Sequence, residues 1–73
     1  MQIKTNIKCK PGDRVRVANY RMKGKPVEPG ECYDTEIHVY KDGSTRNSYR
    51  IKLDRQTPKG DYLFLYVGDD SIM

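Results

Sequence analysis

Tryptophan is absent from this 73-residue chain, phenylalanine and histidine occur once each, and cysteine only twice. No window approaches the ~18 apolar residues of a membrane-spanning helix, which excludes that class. Nowhere do apolar residues recur at i, i+3, i+4 and i+7 over a helical length, which argues against an α-helical domain. Met1 to Lys10 alternates polar and apolar residues and lacks the apolar stretch of a secretory signal, so a cytoplasmic location is expected. In that reducing compartment Cys9 and Cys32 are expected as free thiols. With His38 as the only other soft ligand, they fall short of the four closely paired ligands of a structural zinc site.

Catalytic sets are missing as well. His38 stands between Ile37 and Val39 with no carboxylate-and-nucleophile partner set. Ser44, Thr45, Ser48 and Ser71 have no nucleophile-elbow context, and no glycine-rich phosphate loop exists. Asp69-Asp70 supplies two adjacent carboxylates, too few for a calcium or magnesium site. A non-enzymatic protein without metal or small-molecule cofactor is therefore expected.

What is present argues for a folded domain. Six tyrosines and clusters of Ile, Val and Leu are what disordered segments lack. Residues 1–73 read as a single small domain, near the size at which one hydrophobic core only just outweighs conformational entropy.

The formal charge is +4, but it is unevenly spread. Residues 1–30 carry Lys4, Lys8, Lys10, Arg14, Arg16, Arg21, Lys23 and Lys25 against Asp13 and Glu28, eight minus two, or +6; residues 31–73 carry six cations and eight carboxylates, or -2. Such a block attracts polyanions by steering and counterion release. The bland alternative is that Lys and Arg protect strand edges and confer solubility.

Period-two alternation dominates, so the chain reads as all-β. After the turn Pro11-Gly12-Asp13, a strand over Arg14–Tyr20 places Val15 and Val17 on one face and Arg14 and Arg16 on the other. Arg21 to Gly30, with two glycines and two prolines, reads as a basic loop. A second strand over Cys32–Tyr40 is expected to turn Tyr33, Thr35, Ile37 and Val39 inward and Asp34, Glu36, His38 and Tyr40 outward. The Asp42-Gly43 pair suits a tight turn. A third strand, Asn47 to Asp54, then points Tyr49, Ile51 and Leu53 inward and Arg50 and Lys52 outward. The run Tyr62–Val67 is apolar on both faces, with Leu63, Leu65 and Val67 on one and Tyr62, Phe64 and Tyr66 on the other. Gly68 to Ile72 reads as one 3-10 turn returning Ile72 to the core. Residues 1–8 alternate Ile3, Thr5 and Ile7, which predicts a short extra N-terminal strand.

Gly12-Asp13-Arg14-Val15-Arg16-Val17, a basic loop, Asp42-Gly43-Ser44, then Tyr49-Arg50-Ile51-Lys52-Leu53-Asp54 and a final strand with a 3-10 turn resemble a Src-homology-3-like small barrel, closest to its Tudor, agenet and KOW-type versions. The resemblance runs over residues 11–72 and implies a strongly bent, five-stranded β-barrel. It departs from the family where the chain stops, before the usual fifth strand, a slot that the N-terminal strand or a partner subunit is expected to fill. The Gly12–Arg16 string is also similar to the start of the plasmid-encoded type II dihydrofolate reductases, but their Val-Gln-Ile-Tyr active-site run is absent. Small standalone barrels of this kind are common in bacteria, phages and mobile elements, and a prokaryotic accessory protein is expected by analogy.

Two sets of candidate site residues emerge. Arg14, Arg16, Arg21, Lys23, Lys25, Arg50 and Lys52, with Arg46, are expected to form a basic surface beside Tyr20 and Tyr40, cations for phosphates and rings for bases. Asp34, Glu36 and Asp54 project from the same sheet face and are alternative partners for those cations. Tyr62, Phe64 and Tyr66 form an aromatic strip on the last strand, suited to self-association or to another protein. Tyr20, Tyr33, Tyr40 and Tyr49 are the rings available for a methylated-cation cage, although Tyr33 and Tyr49 read inward. The leading expectation is a nucleic-acid-binding module, and the alternative is a self-associating or protein-interaction domain.

Overall fold

The computed structural model describes residues 6–73, which form four strands and a 3-10 turn: β1 (Arg14–Ala18), β2 (Val27–Val39), β3 (Thr45–Gln56), β4 (Tyr62–Gly68) and η1 (Asp69–Ser71). Every strand pairs antiparallel with the next, giving one sheet in the order β1-β2-β3-β4. The protein is all-β, but the expected five-stranded barrel is replaced by a four-stranded sheet that does not close. Of the expected N-terminal strand, residues 6–8 are not in a strand and the remainder lies outside the described residues. No helix among the described residues is long and apolar enough to cross a membrane.

The place of a fifth strand holds a single contact. Past η1, Ile72 forms an isolated antiparallel bridge with Val17, and the Met73 N–H donates to the Arg16 carbonyl at 2.8 Å. Beyond it the β1 edge borders an open groove flanked by Lys8, Val15, Arg16, Pro29 and Met73.

Local chemistry accounts for the turns. Gly43 takes φ +88°, a conformation that costs a side chain strain, and Asp42 Oδ1 accepts from the Ser44 N–H at 2.9 Å and its hydroxyl at 2.6 Å. The β1–β2 loop is shorter than its composition predicts, because Val27–Gly30 already pair with β1. These residues are held by backbone ladders on a strand that buries little apolar surface, so alternation carries no sign of them. Gly30 pairs with Val15 on one side and Leu53 on the other. A methyl group there would meet the Lys52 carbonyl at 2.8 Å and Ile51 Cγ2 at 2.9 Å.

The core lies on the inner face and contains Cys9, Val17, Cys32, Tyr49, Ile51, Leu53, Leu65 and Val67, with Ile7, Val15, Leu63 and Ile72 packed against it. The inward assignments on β1, β3 and β4 are those that alternation predicts. On β2 a bulge intervenes: Cys32 pairs with Ile51 and Asp34 with Arg50, leaving Tyr33 unpaired. Cys32 therefore takes the buried position, and Tyr33 turns outward, contrary to expectation. Ile37 and Val39 keep the inward parity expected of them, in register with Asn47 and Thr45, but are exposed because the β2–β3 hairpin runs beyond the core.

Polar contacts fasten both chain ends over this core. The Tyr49 hydroxyl accepts from the Lys8 N–H at 2.9 Å and donates to Asp69. Burial, reinforced by Asp69, raises the Tyr49 phenol above its usual 10. The Thr35 hydroxyl donates to the Cys9 carbonyl at 3.1 Å and lies 3.4 Å from the Cys32 sulfur. Both cysteines are free and buried. Burial, with Cys32 adjacent, pushes the Cys9 thiol up to about 12, and the side chain packs as a small core hydrophobe.

Gly30→Ala is expected to lower stability by ~1–3 kcal/mol through overpacking against β3. Urea denaturation checks this by a lower midpoint at an unchanged slope.

Candidate functional site

The register of the sheet aligns side chains in rows across its outer face. One row runs Arg14–Glu31–Lys52–Phe64 from β1 to β4, and the next Asp34–Arg50–Tyr66 from β2 to β4. Tyr33, displaced by the bulge, stands between them. Its ring meets Phe64 edge to face, with centroids 5.3 Å apart at 81°. The Arg50 guanidinium lies 4.8 Å from the Tyr33 centroid and 5.8 Å from that of Phe64, and the Lys52 ammonium sits 3.9 Å over Tyr62.

The fold unites residues that fall into two separate sets in the sequence. Arg14, Arg50 and Lys52 of the basic set and Tyr62, Phe64 and Tyr66 of the aromatic strip share one face. Its four rings, Tyr33, Tyr62, Phe64 and Tyr66, remain between 39% and 50% exposed. Arg16 borders this face on β1, opposite Pro29, and has no ion pair among the described residues.

Three carboxylates on this face hold partners, while Glu31 stands in the first row with no ion pair among the described residues. Asp54 holds Arg14 through two parallel hydrogen bonds, Asp34 binds Arg50, and Glu36 accepts from the Tyr66 hydroxyl. Asp54 sits below its usual 3.8 because Arg14 donates to it, and Tyr66 rises above 10 because it donates to Glu36. His38 points outward, as expected, 3.5 Å from Glu36. Exposed pairs of this kind contribute little to stability. They orient the cations beside the rings and reduce the net positive field.

The remaining candidates lie at the two ends of the sheet. Tyr20, Arg21, Lys23 and Lys25 occupy the β1–β2 loop, where Arg21 lies 5.9 Å from the Tyr20 centroid. Tyr40 follows the far end of β2, in a shallow pocket with His38, Arg46 and Tyr66. The 13 residues of β2 separate the two places by about 40 Å at ~3.3 Å per residue, in a molecule 47 Å long. They do not form the single surface expected of them. The four rings considered for a cage are likewise dispersed: Tyr49 is buried, Tyr33 packs on Phe64, and Tyr20 and Tyr40 stand at opposite ends.

Tyr33 is the member of the face that alternation missed. The usable signal was Cys32: if it is buried, the three-residue step to Thr35 breaks period two and requires an extra residue between them.

The basic loop has its own anchor. Glu28 receives hydrogen bonds from Arg55 and from the Asn19 amide, while Asn19 Oδ1 accepts from the Arg21 N–H at 3.1 Å and Arg55 reaches the Met22 sulfur at 3.2 Å. Arg55 first, then Asn19, holds the Glu28 carboxyl below its usual 4.5.

Comparison with known proteins found no matching family model, no matching curated protein and no matching solved structure.

A carboxylate whose pKa is depressed on folding contributes stability above its unfolded value and loses it as pH falls through the folded value. Glu28 is expected to contribute in full above about pH 4.5 and progressively less below it. Glu28→Gln should flatten the acid limb of stability against pH while leaving the curve's slope near neutrality unchanged, as measured by urea titrations at a series of pH values.

Proposed function

We propose that the protein is a non-enzymatic module that binds single-stranded nucleic acid across the outer sheet face. Tyr33, Tyr62, Phe64 and Tyr66 stack on bases, while Arg16 and Lys52 meet the phosphates and Arg14 and Arg50 flank the rings in their ion pairs with Asp54 and Asp34. The observation that carries this reading is the merging of rings and cations: four half-exposed rings and three strand-borne cations lie in adjacent rows of one face. Bases present a π-face whatever their identity, so such a surface binds strands with little sequence preference. The loop carrying Arg21, Lys23 and Lys25 lies at one end of the sheet and extends the positive track beyond the rings.

The fold-level reading as a Src-homology-3-like module is supported by the placement of Ile72 beside β1, which puts the chain after the 3-10 turn where that family's last strand would run. The family hosts many activities, so it adds nothing to the choice of ligand.

The paired carboxylates shape the binding energetics. With Arg14 and Arg50 held by Asp54 and Asp34, the cations left for phosphates on the face are chiefly Arg16 and Lys52. Stacking then dominates and the salt dependence is shallow.

Fluorescence anisotropy with a labelled oligo-dT is expected to show binding at ~50 mM salt with a log-log salt slope of about -1.4, the value for roughly two phosphates neutralised on a single strand. Phe64→Ala should weaken binding about 5- to 100-fold, and Asp54→Asn, which frees Arg14, should strengthen it and steepen the slope. No binding at ~50 mM salt overturns the proposal.

A further inference from the structure

The two edges of the sheet are protected very differently. At one edge, β1 carries Arg14 and Arg16 among its five residues and receives the Ile72 bridge and the Met73 hydrogen bond. Charge and partial covering are the usual devices that prevent an edge from pairing with another chain. At the other edge, β4 runs for seven residues, Tyr-Leu-Phe-Leu-Tyr-Val-Gly, with no charged residue and no proline. Among the described residues, no strand lies beyond it. Its row of backbone donors and acceptors is a template for one more strand, and no side chain on it opposes pairing.

We infer that β4 pairs antiparallel with β4 of a second copy of this chain, joining the two sheets into one of eight strands. A two-fold axis makes the contact self-complementary, and residues directly opposite each other must share a face, so the register centres on a residue. A centre at Phe64 sets Phe64 against Phe64 and Tyr62 against Tyr66 on the outer face, with Leu63 against Leu65 on the inner face. Every strand position from Tyr62 to Tyr66 then meets a ring or an aliphatic side chain, the cross-strand pairs that stabilise sheets.

A centre at Leu65 would instead set Tyr62 against Gly68, a pair with no side-chain contact. The aromatic face doubles in width across the axis with no rearrangement of either sheet. The inference is independent of the nucleic-acid reading, because β4 pairs through its edge and its test contains no oligonucleotide.

Sedimentation equilibrium of the full chain tests it. The expected mass is about 17 kDa, twice the 8.5 kDa of one chain, at concentrations on the order of 100 μM. Phe64→Lys sets two ammonium groups directly opposite each other and should return the chain to 8.5 kDa, with circular dichroism confirming that it still folds. Phe64→Cys should crosslink two copies under mild oxidation, since both native thiols are buried. A parent sedimenting at 8.5 kDa overturns the inference. So does a dimer unaffected by Phe64→Lys, or one in which Phe64→Cys does not crosslink.

Discussion

The extra residue in β2 governs most of what distinguishes this sheet. Cys32 pairs with Ile51 and Asp34 with Arg50, so the single step between the partners on β3 is matched by two on β2, and Tyr33 has nowhere to go but outward. A small thiol enters the core where a large ring was expected, which suits an inner face already filled by Tyr49, Ile51 and Leu53. The displaced ring lands beside Phe64 and beneath Arg50, and that contact links the cations of β3 to the aromatic strip of β4. Without the bulge, the outer face would have three rings on one strand and no aromatic on β2 to hold the guanidinium.

A second constraint follows from size. A core with eight buried side chains among the described residues, drawn from a short chain, gains from every segment laid across it, and here the polar contacts do the fastening. Tyr49 is fully buried, yet its hydroxyl reaches both the segment before β1, through Lys8, and the 3-10 turn, through Asp69. Thr35 ties the Cys9 carbonyl to β2 in the same way. Sheet, N-terminal segment and C-terminal turn are coupled through these few groups, and the open edge at β1 is narrowed because the turn returns Ile72 to Val17.

Charge illustrates how a sequence-level quantity changes meaning in the fold. The +6 of residues 1–30 invites a polyanion reading, but its cations are dispersed: some lie on β1, some in the loop at one end of the sheet, and Lys8 and Lys10 in the segment before β1. The outer face that does assemble takes two of its cations, Arg50 and Lys52, from the half of the chain that is net negative. Its carboxylates come from the same strands, and pairing between neighbours follows from the register, since Asp34 stands opposite Arg50. The face is thus closer to neutral than either half of the sequence.

Taken alone, the sequence determined the class of fold, the positions of the Asp42-Gly43 turn and the closing 3-10 turn, and the inward residues of β1, β3 and β4, because period-two alternation and turn chemistry are local and leave a mark wherever apolar and polar residues alternate. It did not determine strand pairing at Val27–Gly30, where ladders hold a segment with no apolar rhythm, nor the reversal of Tyr33, where one inserted residue shifts parity without altering composition. Whether the sheet closed, which rings and cations became neighbours, and which edge was left without charge were decided by register between strands distant in sequence. Register depends on the fit of one whole strand against another, and no window of residues along a single strand contains that information.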